Sequence, residues 1–146
     1  MTLHSAEPAL HMRRRIPAPR EKVFRAFTQP DIIPQWIGGG QANSPDAEVD
    51  LRVGGRYRIY INPPNSTPFY IVGVYHEVEV PEKLVYTWGF EGSEDTLDET
   101  LVTVEFVDLG EATEVILQHE RFPDALTRDM HNEGWVVCLN RIEALV

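Results

Sequence analysis

The chain has 146 residues, the size of one ordinary domain, and 42% of them are hydrophobic, enough to build a buried core. Its 13 Lys and Arg residues stand against 23 Asp and Glu residues, a net charge of −10 that argues against binding to nucleic acid or to an anionic membrane. The charge is uneven, because residues 1–30 carry six basic and two acidic side chains. We expect these basic side chains to meet carboxylates on neighbouring strands or on a partner subunit.

A single cysteine, Cys138, excludes a disulfide within the chain and a zinc site built from several cysteines. Neither a phosphate-binding loop nor a metal-ligand spacing is present, so we predict no metal and no cofactor. Residues 1–9 lack the apolar core of a signal peptide, and no apolar run is long enough to span a membrane. We therefore expect a cytoplasmic protein with an N-terminal extension over residues 1–9 and one domain over residues 10–146.

The first part of the chain predicts one strand and two short helices. Apolar residues alternate over residues 10–16, which is the period of a strand. Pro19 suits the first turn of a helix, which runs to Thr28 before Gln29 and Pro30 interrupt it. Residues 31–37 predict a second short helical segment that carries Trp36.

Six further strands and a long helix follow. The predicted strands are residues 47–53, 56–61, 69–80, 84–90, 100–107 and 113–122. Gly54 and Gly55 predict a two-residue hairpin turn, and residues 91–99 predict an acidic loop. The final helix opens at Pro123 and Asp124, and its apolar stripe includes Met130 and Leu145, flanked by Trp135 and Leu139. The fold class is thus α+β, a curved antiparallel sheet of seven strands wrapped round the C-terminal helix.

The alternation along each strand predicts which side chains face the helix. Val115, Leu117 and His119 share one parity, so His119 is expected to point inward. In the strand over residues 69–80 the more apolar set is expected inward, unless a bulge reverses it. That set is Tyr70, Val72, Val74, His76 and Val78. The result is a cavity wall rich in aromatic rings with few polar groups, which suits a small hydrophobic or aromatic ligand.

Several motifs, in this order, resemble one known family. They are Arg14-x-Ile16-x-Ala18-Pro19-x-x-x-Val23-Phe24, then Trp36, Asp50-x-Arg52-x-Gly54-Gly55-Arg56-Tyr57-Arg58, Gly73-x-Tyr75-x-Glu77-Val78, residues 81–88, Thr113-x-Val115-x-Leu117-x-His119 and Gly134-Trp135-x-x-x-Leu139. Together they resemble the domains that are similar to the C-terminal part of the activator of heat-shock protein 90 ATPase, within the START-like, helix-grip superfamily. The resemblance covers about residues 10–145.

The resemblance implies a seven-stranded sheet that grips a long helix, with a ligand cavity between them. Members of the superfamily bind lipids, hormones or polyketides, and a few are enzymes. The candidate ligand-binding residues are Trp36, Ile37, Tyr57, Tyr86, Trp88, Phe106, His119, Met130 and Trp135.

Three functions follow from this interpretation. The first is a binder of a small hydrophobic molecule, in which His119 is a hydrogen-bonded cavity histidine and most aromatic rings pack in the core. The second is an enzyme of the cyclase or hydrolase kind, with His119 and a tyrosine as an acid–base pair. The third is an interaction module of the stress response that associates with a chaperone. The sequence also leaves open that the protein forms a homodimer. Cys138 is expected to be a small core residue.

Overall fold

A computed structural model describes residues 8–37, 46–64, 67–91 and 99–146. The strands are β1 (Leu10–Ile16), β2 (Ala47–Val49), β3 (Arg56–Ile61), β4 (Phe69–Glu79), β5 (Lys83–Glu91), β6 (Thr100–Asp108) and β7 (Thr113–Glu120). The helices are α1 (Arg20–Thr28), a 3₁₀ helix over Ile33–Gln35 and the long α2 (Ala125–Leu145). Within these ranges the seven strands form one antiparallel sheet in the order β1-β7-β6-β5-β4-β3-β2. The predicted α+β architecture is confirmed.

Helix α2 begins at Asp124, whose side chain accepts a hydrogen bond of 2.7 Å from the backbone N–H of Thr127. The helix buries residues spaced three or four apart, as a helix lying on a sheet must. These are Trp135, Cys138, Leu139 and Ile142. Part of the predicted stripe was wrong, because Met130 and Leu145 are exposed at 63% and 38% and the buried face runs through the flanking Trp135 and Leu139.

The basic first strand is paired within the domain. Arg14 donates to Asn140 Oδ1 at 2.8 Å and to Glu143 Oε1 at 3.2 Å, which ties β1 to the last turns of α2. Arg13 lies 3.7 Å from Glu114 on the neighbouring β7. Arg13 and Arg14 thus meet carboxylates of the same domain, as the sequence predicted, and Arg20 lies 3.8 Å from Glu82.

The predicted hairpin at the two glycines was wrong in its length. Strand β2 ends at Val49, which pairs with Tyr57, so six residues connect the two strands instead of two. Gly55 N donates to Arg52 O at 2.8 Å inside this connection. A Cβ on Gly55 would stand 2.0 Å from Asp50 O, so the tight turn requires a glycine there.

The predicted inward set of β4 was also wrong. The set was Tyr70, Val72, Val74, His76 and Val78, but the buried residues of the strand are Ile71, Gly73 and Tyr75. A register shift between Tyr75 and Glu77 returns Val78 to the core side, where it packs against buried residues. His76 is exposed and is not part of the cavity wall.

Some predicted features lie outside the described residues. They are most of the N-terminal extension and residues 92–98 of the predicted acidic loop, so the domain boundary at residue 10 stays a prediction. The second short helix is a 3₁₀ turn over Ile33–Gln35, with Pro34 inside it. None of the helices described here combines the length and the apolar character that crossing a membrane requires.

Candidate functional site

A cavity of about 320 Å³ lies between the first half of α2 and strands β3 to β5. Among the residues that the structure describes, its wall consists of ten apolar or small residues and one histidine. They are Ile37, Ile61, Phe69, Ile71, Trp88, Phe90, Met130, His131, Gly134, Trp135 and Cys138. A pocket of this composition suits a small ligand that is mostly apolar.

A larger cleft of about 800 Å³ adjoins this cavity and shares Trp88, Phe90 and His131 with it. Its other walls include charged side chains, among them Arg58 and Glu91, which bind each other through two hydrogen bonds of 3.0 and 2.9 Å. We regard the smaller cavity as the candidate site, because it lies between helix and sheet and its wall is apolar.

Four of the nine predicted ligand residues line the cavity. They are Ile37, Trp88, Met130 and Trp135, while Tyr57 lines the adjoining cleft. The remaining four, Trp36, Tyr86, Phe106 and His119, are buried outside both linings. Met130 is 63% exposed and therefore belongs to the rim of the cavity.

The buried aromatic residues pack against residues that line the cavity and the adjoining cleft. Trp36 donates its indole N–H to Ala26 O at 2.7 Å and stacks on Trp135 with ring centroids 6.4 Å apart. Tyr86 packs edge-on against Tyr57 at 5.5 Å, and burial raises the pKa of both hydroxyls. These rings fix the position of the residues that do line the site.

Seven lining residues are absent from the predicted ligand set, namely Ile61, Phe69, Ile71, Phe90, His131, Gly134 and Cys138. Ile71 was assigned to the outward face of β4, whereas the strand has the opposite parity before its bulge. Gly134 stands in one of the family motifs but was not predicted to line the cavity. The spacing of His131, Gly134, Trp135 and Cys138 is the signal that would have found this wall, since it places all four along one face of a helix.

His119 lies at the centre of a closed hydrogen-bond chain. Trp135 Nε1–H donates to His119 Nδ1 at 3.0 Å, so Nδ1 carries no proton and the neutral ring holds its proton on Nε2. Nε2–H then donates to Thr100 Oγ1 at 2.7 Å, and the threonine hydroxyl donates to Trp88 O at 3.0 Å. Every polar atom of the imidazole has a partner.

This chain makes His119 a structural residue. Its side chain is fully buried, and burial together with His131 lowers its pKa to about 3. An acid–base catalyst needs a nitrogen within reach of a substrate proton, and both nitrogens here are occupied by protein groups. The structure therefore shows the hydrogen-bonded histidine and gives no support to an acid–base pair built on it.

His131 is the polar residue of the cavity wall, and the sequence had not singled it out as a ligand-binding residue. Its Nδ1 lies 2.9 Å from Thr127 O, one helical turn earlier, so Nδ1 is the protonated nitrogen and donates to that carbonyl. The ring packs against Phe122 and Phe90 with centroids 5.0 and 6.1 Å apart. Burial lowers its pKa, so the ring is neutral and its Nε2 carries a lone pair.

Trp88 belongs to the same wall, but its indole nitrogen is buried. The residue is 9% exposed, and its buried Nε1–H has no acceptor among the described residues. Buried donors without acceptors are uncommon in folded proteins, because each one costs the desolvation energy of the group. Trp88 lies against His131 with ring centroids 6.4 Å apart.

The described residues hold no group of three or more His, Cys, Asp or Glu side chains that could bind a metal ion. Cys138, expected to be a core residue, is buried at 7% exposure and forms part of the cavity wall on α2. The site therefore offers apolar surface together with the imidazole of His131.

Comparison with solved structures finds the same fold in several proteins. A protein from Chromobacterium violaceum matches with a TM-score of 0.82 and 25% identity, over 95% of this chain and 97% of its own. An HSP90 activator from Plasmodium falciparum matches with a TM-score of 0.74 and 27% identity, over 94% of each chain. A protein from Rhizobium leguminosarum matches with a TM-score of 0.81 and 23% identity, over 98% and 97%.

No match was found among curated proteins. The model of one protein family, described as Activator of Hsp90 ATPase homolog 1-like protein, matches residues 17–146. That range holds the described strands after β1, the three helices and the described lining residues of the cavity. The chain belongs to the family of Activator of Hsp90 ATPase homolog 1-like proteins.

Proposed function

We propose that the protein binds a small hydrophobic or aromatic molecule in the cavity between α2 and the sheet, and that it does so without a catalytic step. The observation that carries this proposal is the wall of ten apolar or small residues and one neutral histidine around about 320 Å³. Burying the apolar surface of a ligand there supplies the binding energy.

Helix α2 supports this proposal because it has a glycine at a point where a larger side chain could have filled the cavity. At Gly134, in the middle of α2, an added Cβ would meet no heavy atom within 4 Å. Glycine in a helix interior costs about 1 kcal/mol relative to alanine. A glycine at this point of the wall therefore keeps the cavity open at a cost in stability.

The test is a titration with N-phenyl-1-naphthylamine, a neutral probe whose fluorescence rises in apolar sites. We expect saturable binding by the unmodified protein and a loss of affinity of about tenfold or more in Gly134→Leu, whose side chain fills the cavity. The control is Val136→Leu on the same helix, at a residue that is 39% exposed and outside the lining. Equal binding by the two variants would contradict the proposal.

A second candidate is association with a chaperone. It is favoured by the 27% identity to the HSP90 activator from Plasmodium falciparum over 94% of each chain. We expect the purified protein to raise the ATPase rate of an Hsp90 chaperone if this candidate is correct. An unchanged rate, together with no co-elution of the two proteins, would remove it.

A further inference from the structure

The apolar cavity and the larger cleft beside it share three wall residues, Trp88, Phe90 and His131. The two spaces therefore meet along these side chains. A ligand whose apolar body fills the cavity can place its other end in the cleft. The charged side chains that line the cleft then decide which polar group this end carries.

Among the lining residues of the cleft that the structure describes, five are charged, and four of these lie on the face of the sheet that points away from α2. In β3 the exposed Arg56 and the half-buried Arg58 alternate with the buried Tyr57, which faces the helix. Glu48 is the cross-strand partner of Arg58, and Glu91 binds Arg58 through two hydrogen bonds. The guanidinium of Arg58 thus already has a counter-ion, and both arginines point away from the cavity.

The fifth charged residue, Glu99, lies where the cleft approaches the cavity. It directly precedes Thr100, the first residue of β6, which pairs with the shared wall residue Trp88 and donates its hydroxyl hydrogen to Trp88 O at 3.0 Å. The carboxylate of Glu99 is exposed and has no hydrogen bond or ion pair with any other described residue. Glu99 is therefore available to a ligand that extends out of the cavity.

The hydroxyl of Tyr57, which lines the same cleft, responds to this carboxylate. Burial and the neighbouring tyrosines raise the pKa of Tyr57, and the charge of Glu99 raises it further. A negative charge opposes the formation of a second one nearby, and by the same interaction it stabilises a positive charge. Glu99 therefore favours a cation inside the cleft.

The N-terminus of α2 also borders the cleft, through Pro123 and Thr127. A helix N-terminus attracts anions, but here Asp124 already supplies one. Its side chain accepts a hydrogen bond of 2.7 Å from the backbone N–H of Thr127, and this bond lowers the pKa of the Asp124 carboxyl. An anionic ligand group at this end of the cleft would meet the charges of both Asp124 and Glu99, and no lysine or arginine of the described lining lies on this side of the sheet.

We propose, building on the function proposed above, that the ligand carries a positively charged group, such as an ammonium, on an apolar body of ring size. The body fills the cavity against Trp135 and Ile71, and the cation lies in the cleft against the carboxylate of Glu99. Phe90, which is 36% exposed and lines both spaces, offers the face of an aromatic ring to the cation. The apolar wall selects the size of the ligand, and Glu99 selects its charge.

Displacement of N-phenyl-1-naphthylamine by three matched ligands tests this proposal at pH 7.5. The ligands are 2-(2-naphthyl)ethylamine, 2-(2-naphthyl)ethanol and 2-naphthylacetate. They share a naphthalene body on a short alkyl arm, and at this pH they carry a positive charge, no charge and a negative charge. We expect the amine to bind about threefold to fivefold more tightly than the alcohol, and the acid to bind at least threefold more weakly than the alcohol.

A pair of variants tests the role of Glu99. Glu99→Gln should lower the affinity for the amine to that for the alcohol and leave the alcohol within about twofold, because only the charge of the side chain is lost. The matched control is Glu133→Gln, at an exposed position of α2 outside both described linings, which changes the net charge by the same amount. It should keep the preference for the amine. Both side chains are exposed, so neither substitution should prevent folding.

Ionic strength gives an independent measurement on the unmodified protein. Raising sodium chloride from about 20 mM to about 500 mM should remove most of the advantage of the amine, because salt screens an exposed ion pair. The affinity for the alcohol should stay within about twofold. An advantage of the amine that does not depend on salt would contradict an ion pair with Glu99.

The possible results distinguish this inference from the function on which it rests. If the probe binds but the alcohol or the acid displaces it as well as the amine does, the cation inference is overturned and the apolar binding site stands. If Glu99→Gln keeps the preference for the amine, Glu99 is not the group that selects the charge, and the inference is likewise overturned. If the probe does not bind at all, the proposed function fails, and this inference fails with it.

Discussion

The helix–sheet interface contains two histidines, His119 and His131, whose rings lie 5.2 Å apart. We call the part around His119 the closed half and the part around His131, at the cavity, the open half. In the closed half His119 is fully buried, and both its nitrogens are bound by Trp135 and Thr100. In the open half His131 uses only Nδ1 and faces a cavity. The same residue type is thus fully hydrogen-bonded in the closed half and faces the proposed ligand cavity in the open half.

The largest expected effect contrasts one phenylalanine from each half. Phe106 is 2% exposed and packs edge-on against Phe24 and Phe27, each at 5.2 Å between centroids. Phe106→Ala should lower the free energy of unfolding by about 3–5 kcal/mol, because it leaves a void in close packing. Phe90 is 36% exposed at the cavity, so Phe90→Ala should cost about 1 kcal/mol. Urea denaturation measures both, and equal losses would show that the open half is packed as tightly as the closed one.

The two histidines give the next contrast. His119→Leu leaves the indole N–H of Trp135 buried without an acceptor, and we expect a loss of about 2–3 kcal/mol in the free energy of unfolding. His131→Leu removes one bond to a helical carbonyl and should cost less than about 1 kcal/mol. Thermal and urea unfolding of the pair provide the measurement. A greater loss at residue 131 would reverse the assignment of the closed and open halves.

Acidification should lower the free energy of unfolding through His119 and His131. The pKa of His119 is about 3 in the folded protein against about 6.5 in the unfolded chain, so below pH 6.5 the unfolded state binds more protons. The contribution of His119 to the free energy of unfolding is fully present above that pH. It is lost on acidification, by about 2 kcal/mol between pH 6.5 and pH 5. The lowered pKa of His131 acts in the same direction.

Urea midpoints measured between pH 5 and pH 7.5 test this dependence. His119→Asn carries no titrating group, so its stability should change much less over that range. A variant that keeps the full slope would show that His119 does not cause it.

The sequence predicted the fold well because the fold rests on periodic patterns. The alternation in β7 placed Val115, Leu117 and His119 inward, and all three are buried. The cavity was predicted less well because its wall depends on parity at one irregular strand. The bulge between Tyr75 and Glu77 in β4 decides which side chains face the helix, and both parities of that strand are apolar. Which nitrogen of His119 carries the proton depends on Thr100 and Trp135, which lie on other elements, and no local pattern indicates these contacts.

The smallest expected effect concerns Gly134, where stability and binding should change in opposite directions. Gly134→Ala should raise the free energy of unfolding by about 0.5–1 kcal/mol, because alanine has the higher helix propensity and its Cβ meets no atom within 4 Å. The same methyl group reduces the cavity, so affinity for N-phenyl-1-naphthylamine should fall by about twofold to fivefold. Val136→Ala, at a 39% exposed position outside the lining, is the control and should leave probe affinity unchanged. A Gly134→Ala protein that is more stable and binds the probe with unchanged affinity would contradict this prediction. It would mean that Gly134 is not needed for ligand binding and that the strands alone determine the size of the cavity.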